Sequence, residues 1–469
     1  MKQALSLLII FIFFGAATPA VQSQSAQPSQ EYLEAYQGMQ QRMEWWTHDR
    51  FGMFIHFGAY SHLEQEEWYK TNRKLGHVEY DSLIAGFKPE KTDCRQWARL
   101  AKMAGMKYAI LTAKHHEGFC MFDTETTDYK ITSRMPGRDI VKEFVEAFRA
   151  EGIKVGLYYS VIDWHHPDYP HFGDDYHPSR EDTTYRGTVH HFDNYIKYMH
   201  EQVRELVTNY GDISIMWFDF SYGDMRDEKW KARELIAMVQ EHQPGIIINN
   251  RLGLGDNKNW GITEYNYNMY YTPEQRVPEK PIVDKFGNPI PWELCLTTNN
   301  NWSYHRDDHQ WKGPELIIHT LVKCVANGGN LLFNMGPDKN GLVPEPYWDI
   351  YRQIGEWMKA NGESIYGCGP SGFGMQPWGY FTKKDRALYV HRMYPYIGYI
   401  QVRDYFDRVK KVTVLATGEE ALVTDSWWGD HSGDKNKLYF NLKTPENHQI
   451  HFNYIMPDPF DTVFKIELK

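Results

Sequence analysis

Short apolar runs recur along the chain from about Trp45 onward. They are FGMFIHFG (51–58), MKYAILTAKHH (106–116), IKVGLYYSVIDW (153–164), ISIMWFDF (213–220), GIIINNR (245–251), GITEYN (261–266), WELCLTTN (292–299) and GNLLFNMGP (329–337). Their near-continuous apolar character is that of strands buried on both faces of a parallel sheet. Amphipathic helical segments lie between most of them. In TDCRQWARLAKMAG, Asp93 and Gln96 stand at capping-box spacing and Gly105 supplies the stop. In RDIVKEFVEAFRAEG, one stripe holds Ile140, Val141, Phe144, Val145 and Phe148, and Gly152 ends it. HFDNYIKYMHEQVRELVTNYG, KWKARELIAMVQEHQPG and GPELIIHTLVKCVANGG follow the same pattern. Eight such strands alternating with helices over roughly 300 residues predict an α/β fold, a (β/α)8 TIM-like barrel. A doubly wound sheet is the competing arrangement, but no run is followed by a GxGxxG or GxxxxGK loop.

The rhythm changes after EPYWDIYRQIGEWMKANGESIYG. From about residue 371 the chain reads as short strands broken by Gly, Asp and Asn, which predicts a small C-terminal antiparallel β-sandwich. The barrel is expected over 41–365 and the sandwich over 370–469. At the other end, Lys2 precedes an apolar stretch from Ala4 to Phe14, with small-residue cleavage candidates ATPA and VQS behind it. Residues 1–23 are read as a signal peptide and 24–40 as a flexible lead-in. The mature chain is therefore expected to be exported, periplasmic or extracellular. No Cys follows the apolar stretch to carry a lipid anchor, and no later run of about 20 apolar residues could insert in a membrane.

Composition narrows the function. The formal net charge is −10, which leaves no electrostatic footprint for nucleic acid. Aromatic residues make up 15%, including 16 Trp and 32 Tyr. They suit a large aromatic core or a carbohydrate protein, since sugar C–H faces stack on aromatic rings. The five cysteines (Cys94, Cys120, Cys295, Cys324, Cys368) are widely spaced and contain no CxxC, so they do not make a disulfide framework, although one bond remains open in an oxidising compartment. No cofactor is expected, and oligomeric state is not legible.

In a barrel of this kind, the C-terminal ends of the strands carry the active site. There the chain places His56, His115 with His116, Tyr158 with Tyr159, Asp163 with Trp164, Trp217 with Asp219, Asn249 to Arg251, and Glu293. A lone His or Asp at a strand end commonly satisfies loop backbone; polar residues at the ends of so many strands are harder to assign to structure. Metal binding is one reading, but no HxH or HExxH spacing is present, and neighbours on an extended segment point apart. Both His115 and His116 reach one pocket only if the strand ends at about Lys114. Glycoside hydrolysis needs instead two carboxyl groups and a pocket that binds hydroxyls. Asp219, held after the apolar run IMWF and beside Trp217, is the leading first carboxylate.

The blocks WWTHDRFGMFIHFGAYS, EEWYK, AKHHEGFCMFDT, GLYYSVIDW, MWFDF, NNRLG and WELCLTTNNNWSY resemble, in order, the signature blocks of the α-L-fucosidases of glycoside hydrolase family 29. The resemblance covers about residues 44–362. It implies a retaining exo-hydrolase that releases terminal α-L-fucose from a fucosylated oligosaccharide or glycoprotein glycan, with Asp219 as nucleophile. It implies further that His56, Glu67, Trp68, His115, His116, Tyr159, Trp217 and Arg251 bind the sugar, with Trp68, Trp217 and Phe57 as an aromatic wall for the fucose methyl group. Three glutamates compete as acid/base. Glu274, in YYTPEQ, ranks first; Glu293 and Glu264 follow, with Glu293 otherwise a pocket-binding carboxylate. A fucose-binding lectin on the same scaffold and a metal-dependent hydrolase are the alternatives; exhaustive chelation separates the latter.

Overall fold

The computed structural model describes residues 28–253, 269–284, 286–396, 400–403, 408–424, 437–441 and 456–469. Eight strands make one parallel sheet: β1 (Phe51–Ile55), β2 (Tyr108–Lys114), β3 (Lys154–Ser160), β4 (Ile215–Asp219), β5 (Ile247–Asn249), β6 (Met269–Tyr270), β7 (Glu293–Leu296) and β8 (Asn330–Met335). Their order is β6-β5-β4-β3-β2-β1-β8-β7. Isolated parallel bridges, Tyr271 with Trp292 and Glu274 with Cys295, span the remaining seam between β6 and β7. The sheet thus returns on itself as the eight-stranded barrel the apolar runs predict.

The predicted helices are present as Cys94–Met103, Ile140–Ala150, Phe192–Thr208, Ala232–His242 and Pro314–Ala326. Gly105 and Gly152 stand at φ +85° and +73°, the left-handed conformation that ends a helix with little strain for glycine alone. Asp93 caps its helix by accepting from the Arg95 N–H. The stripe Ile140, Val141, Phe144, Val145 and Phe148 is buried in the layer between sheet and helices.

The run at 261–266, expected as the sixth strand, lies like Glu264 outside the described residues; among those described, Met269–Tyr270 pairs with β5 as β6. A two-residue strand is too short to leave a periodic signal. The expected lead-in to residue 40 is corrected: from Gln30 on it is a helix, Gln30–Asp49, capped by the Ser29 hydroxyl on the Tyr32 N–H. Its Tyr32, Tyr36, Met39, Met43 and Trp46 are buried with Tyr108, Tyr270 and Leu332 of the barrel interior, and Asn330 donates to the Trp46 carbonyl at 2.8 Å. The stripe is thin among Gln and Glu, so the segment reads as polar although one face closes the N-terminal end of the barrel. Residues 1–23 lie outside the described residues.

Beyond helix Glu345–Asn361 come two antiparallel sheets. One has the order β13-β16-β11-β10-β9 and the other β12-β15-β14, where β9 is Gly369–Pro370, β10 Gly379–Lys384, β11 Ala387–Arg392, β12 Ile400–Arg403, β13 Val409–Val414, β14 Leu422–Thr424, β15 Lys437–Asn441 and β16 Thr462–Leu468. Phe381, Val390, Val402, Phe440 and Phe464 pack together from both sheets, as in a sandwich. It is tied to the barrel helices by the Trp357 indole N–H donating to the Asp461 carbonyl at 3.1 Å. All five cysteines are free and buried. Among the described residues, no helix is long and apolar enough to cross a membrane.

Candidate active site

Alternate strand residues face the barrel interior. On β4 these are Ile215, Trp217 and Asp219; Met216 and Phe218 pack outward. β3 pairs with β4 so that Tyr158 lies beside Trp217 and Ser160 beside Asp219. β2 stops at Lys114, and the Gly118 N–H closes a turn onto the His115 carbonyl. Both imidazoles then turn into one small chamber of about 70 Å³, lined by Phe54, His56, Trp68, His115, His116, Tyr158, Trp217, Asp219, Phe220, Arg251, Glu274, Cys295 and Trp302. A polar cleft of about 260 Å³ adjoins it, sharing Asp219, Phe220 and Arg251 and adding Ser221, Asn250 and Thr272.

Arg251 organises the charge. One arm of its guanidinium donates to Asp219 Oδ1 at 3.0 Å and the other to Glu274 Oε2 at 2.9 Å. Its plane lies over Trp217, 4.5 Å from the ring centroid. Burial opposes the cation, but the carboxylates of Asp219 and Glu274 outweigh it and hold the arginine pKa above its ordinary value. The Tyr158 hydroxyl donates to the other Asp219 oxygen at 2.8 Å, and His116 Nε2 stands 4.0 Å from it.

The hydrogen-bond network assigns the histidine tautomers. Asn334 donates to the Trp302 carbonyl at 2.6 Å, which leaves its oxygen to accept from His56 Nδ1 at 2.7 Å. Ser160 donates to the Ile162 carbonyl at 2.8 Å, so its oxygen accepts from His116 Nδ1, also at 2.7 Å. In both rings Nε2 is therefore a lone pair aimed at the chamber, an acceptor for a hydroxyl. Burial pushes His56 and His116 down to about 3, and burial with His116 and His56 as neighbours pushes His115 well down too. All three imidazoles are neutral at pH 7.

Residues 19–363 match the family model described as Alpha-L-fucosidase. The chain belongs to the α-L-fucosidase family. As a family member it is a glycoside hydrolase. Plasma α-L-fucosidase from Homo sapiens is 30% identical over 373 residues, 74% of this chain and 73% of the relative. The solved α-L-fucosidase isoenzyme 1 from Paenibacillus thiaminolyticus is 43% identical with a TM-score of 0.86, covering 92% of this chain and 100% of that one. An α-L-fucosidase of glycoside hydrolase family 29 from Bacteroides thetaiotaomicron is 28% identical with a TM-score of 0.75, covering 92% of this chain and 96% of that one. That structure is a trapped covalent intermediate, obtained with 2-fluoro-fucosyl fluoride and a glutamate-to-glutamine variant.

In this family member, the chamber gathers eight of the eleven residues singled out from the sequence. They are Asp219, Glu274, His56, Trp68, His115, His116, Trp217 and Arg251. Three stand elsewhere. Tyr159 faces outward, its hydroxyl donating to Gln202 at 2.7 Å; Tyr158 holds the position assigned to it, because a shift of one residue changes the face of a strand. Glu293 begins β7 rather than ending it, so it lies inside the barrel on the N-terminal side, accepting from the Tyr108 hydroxyl at 2.6 Å. Burial pushes its carboxyl up to about 7. Glu67 is buried behind the wall, accepting from the Ser303 N–H at 2.9 Å, which steadies the segment carrying Trp302. Phe57 packs outward on Phe87 and Trp97.

Two further strand-end signals prove structural. Asp163 pairs with buried Lys114 at 3.0 Å, and Asn249 makes two hydrogen bonds to Phe218 backbone. Sequence reasoning missed Trp302, which stacks on His56 at a centroid distance of 4.9 Å. Its signal was available, as the aromatic residue within WELCLTTNNNWSY.

Proposed function

We propose that the protein is a retaining exo-α-L-fucosidase that removes terminal fucose from oligosaccharides or glycoprotein glycans after export from the cell. The observation that carries this reading is one arginine fork holding two carboxyl groups, Asp219 and Glu274, at the mouth of a chamber ringed by three neutral histidines. Two carboxyl groups on one fork suit the short separation, about 5–5.5 Å, that retention requires. The small chamber opens into the adjoining polar cleft, and the two together leave room for one terminal sugar, with the rest of the glycan toward solvent.

The first step is attack of an Asp219 oxygen on the anomeric carbon. Tyr158 and Arg251 each hold one Asp219 oxygen, which fixes the orientation of the attacking carboxylate. Glu274, whose side chain is 40% exposed, reaches the leaving oxygen from the solvent side and gives it a proton. Protonating Glu274 weakens its bond to Arg251 and leaves the guanidinium to Asp219. In the second step Glu274 takes a proton from water, which attacks the fucosyl-enzyme and restores Asp219. His56 and His116 accept hydrogen bonds from sugar hydroxyls through Nε2, and Trp68, Trp217 and Trp302 cover the apolar face and methyl group.

Release of 4-nitrophenol from the α-L-fucoside, beside the β-D-galactoside and β-D-glucoside, tests the substrate. A strong preference for the fucoside is expected, and no preference overturns the assignment.

A further inference from the structure

Outside the sugar chamber, three histidines bring ring nitrogens within 4.8 Å of one another: His77, His171 and His177. His77 opens the helix His77–Leu83. His171 and His177 come from the long connection between β3 and the helix Phe192–Thr208. His171 is 4% exposed and His177 is fully buried. His77 Nδ1 and both ring nitrogens of His171 are buried without a hydrogen-bond partner among the described residues, while His177 has the Trp164 backbone beside its ring. Buried imidazole nitrogens ordinarily have partners, so several converging on one point are a donor set awaiting a ligand.

We propose that His77, His171 and His177 bind one Zn²⁺ ion, with water in the fourth position. Three imidazoles with an open tetrahedral corner are a recurring zinc donor set, with Zn–N distances of about 2.0–2.1 Å, and contraction of the rings by rotamer adjustment reaches it. One hydrogen bond is exchanged on the way. The Ser179 N–H donates to His177 Nδ1 at 3.0 Å, so Nε2 carries the ring proton in the metal-free chain. Ligation through Nε2 moves that proton to Nδ1 and replaces the Ser179 bond with a metal–nitrogen bond. Burial holds the rings neutral, pushing His77 and His171 down to about 4. The adjoining cation, Lys70, is offset by Glu117, Asp81 and Asp163.

The ion is structural rather than catalytic, because none of its ligands lines the chamber. The connection from Val161 to His191 holds, apart from turns, only one short helical element, Thr183–Tyr185, and loops of this length are usually functional. It carries Tyr176, whose ring packs on Trp68 at 6.1 Å and on Phe220 at 4.8 Å, both chamber residues. Tying His171 and His177 to His77 holds this wall in place.

The test is zinc titration of the full chain after chelation and desalting, read by calorimetry, metal analysis and thermal melting. One equivalent per chain and a melting temperature that rises with zinc are expected. His77→Gln and His171→Gln should each weaken zinc binding at least tenfold and abolish the melting response. X-ray absorption of the zinc-loaded wild type reads the site without any variant; a nitrogen shell with imidazole scattering is expected. Binding below one equivalent, binding unchanged in both variants, or a shell lacking imidazole would each overturn the proposal.

Discussion

Replacing Tyr158 and Tyr159, one at a time, with Phe separates the face that meets substrate from the face that meets the helices. The Tyr158 hydroxyl donates to Asp219 at 2.8 Å, and the ring is 1% exposed, so water does not screen the bond. A hydrogen bond to a charged group is worth about 1.5–3 kcal/mol. At about 1.4 kcal/mol per factor of ten, Tyr158→Phe should lower kcat/KM by roughly 10- to 150-fold, provided the bond also orients the attacking oxygen. Tyr159 donates to fully buried Gln202. Its loss leaves the Gln202 oxygen short of a donor, costing about 1–3 kcal/mol of stability with kcat/KM within about threefold of wild type, around 0.7 kcal/mol on the same scale. Steady-state kinetics on an aryl α-L-fucoside, with urea unfolding of both variants, provide the readout. A tenfold loss of kcat/KM in Tyr159→Phe, with none in Tyr158→Phe, would refute the assignment of faces.

Two further outcomes follow from burial. His56, His115 and His116 have folded pKa values far below the unfolded value of about 6.5, so the unfolded chain binds more protons below that pH. Their stability contribution is complete above about pH 6.5 and is lost as pH falls, by up to about 1.4 kcal/mol per unit for each ring. Glu117 and Glu293, both raised to about 7 by burial, act in the opposite sense, leaving a net slope of about one proton from these five groups. His56→Gln should remove one histidine's share of the slope between pH 6 and 5 in urea titrations; an unchanged slope means His56 is not buried neutral. Glu293→Gln should keep kcat near wild type, because the amide oxygen still accepts from Tyr108, whereas Glu293→Ala should lose about 2–4 kcal/mol of stability through the cavity and the orphaned donor. A collapse of kcat in Glu293→Gln at full stability would return that residue to the reaction.

Much of the barrel was legible because buried parallel strands are apolar along their length and glycine punctuates the helices between them. β6 was not, since two residues carry no period, and the helix Gln30–Asp49 was not, since its buried stripe is diluted by glutamines. Within the site, residues at strand ends were found by type and position. Tyr158 was misassigned by one residue although parity with Trp217 and Asp219 on the paired strand would have chosen it. Glu293 was misplaced because an apolar run marks a strand without marking which end meets the substrate. Trp302 and the His77, His171 and His177 cluster depend on loops whose approach only folding determines; no short metal-binding spacing links those three histidines in the chain.

In the proposed reaction Asp219 forms a covalent bond to the sugar while Glu274 handles the proton. Glu274→Gln incubated with 2-fluoro-fucosyl fluoride, digested and analysed by tandem mass spectrometry, tests it directly. One fluorofucosyl group, attached to Asp219, is expected. Attachment to another carboxylate would contradict it, and so would an unlabelled chain that still turns over with inversion at the anomeric carbon.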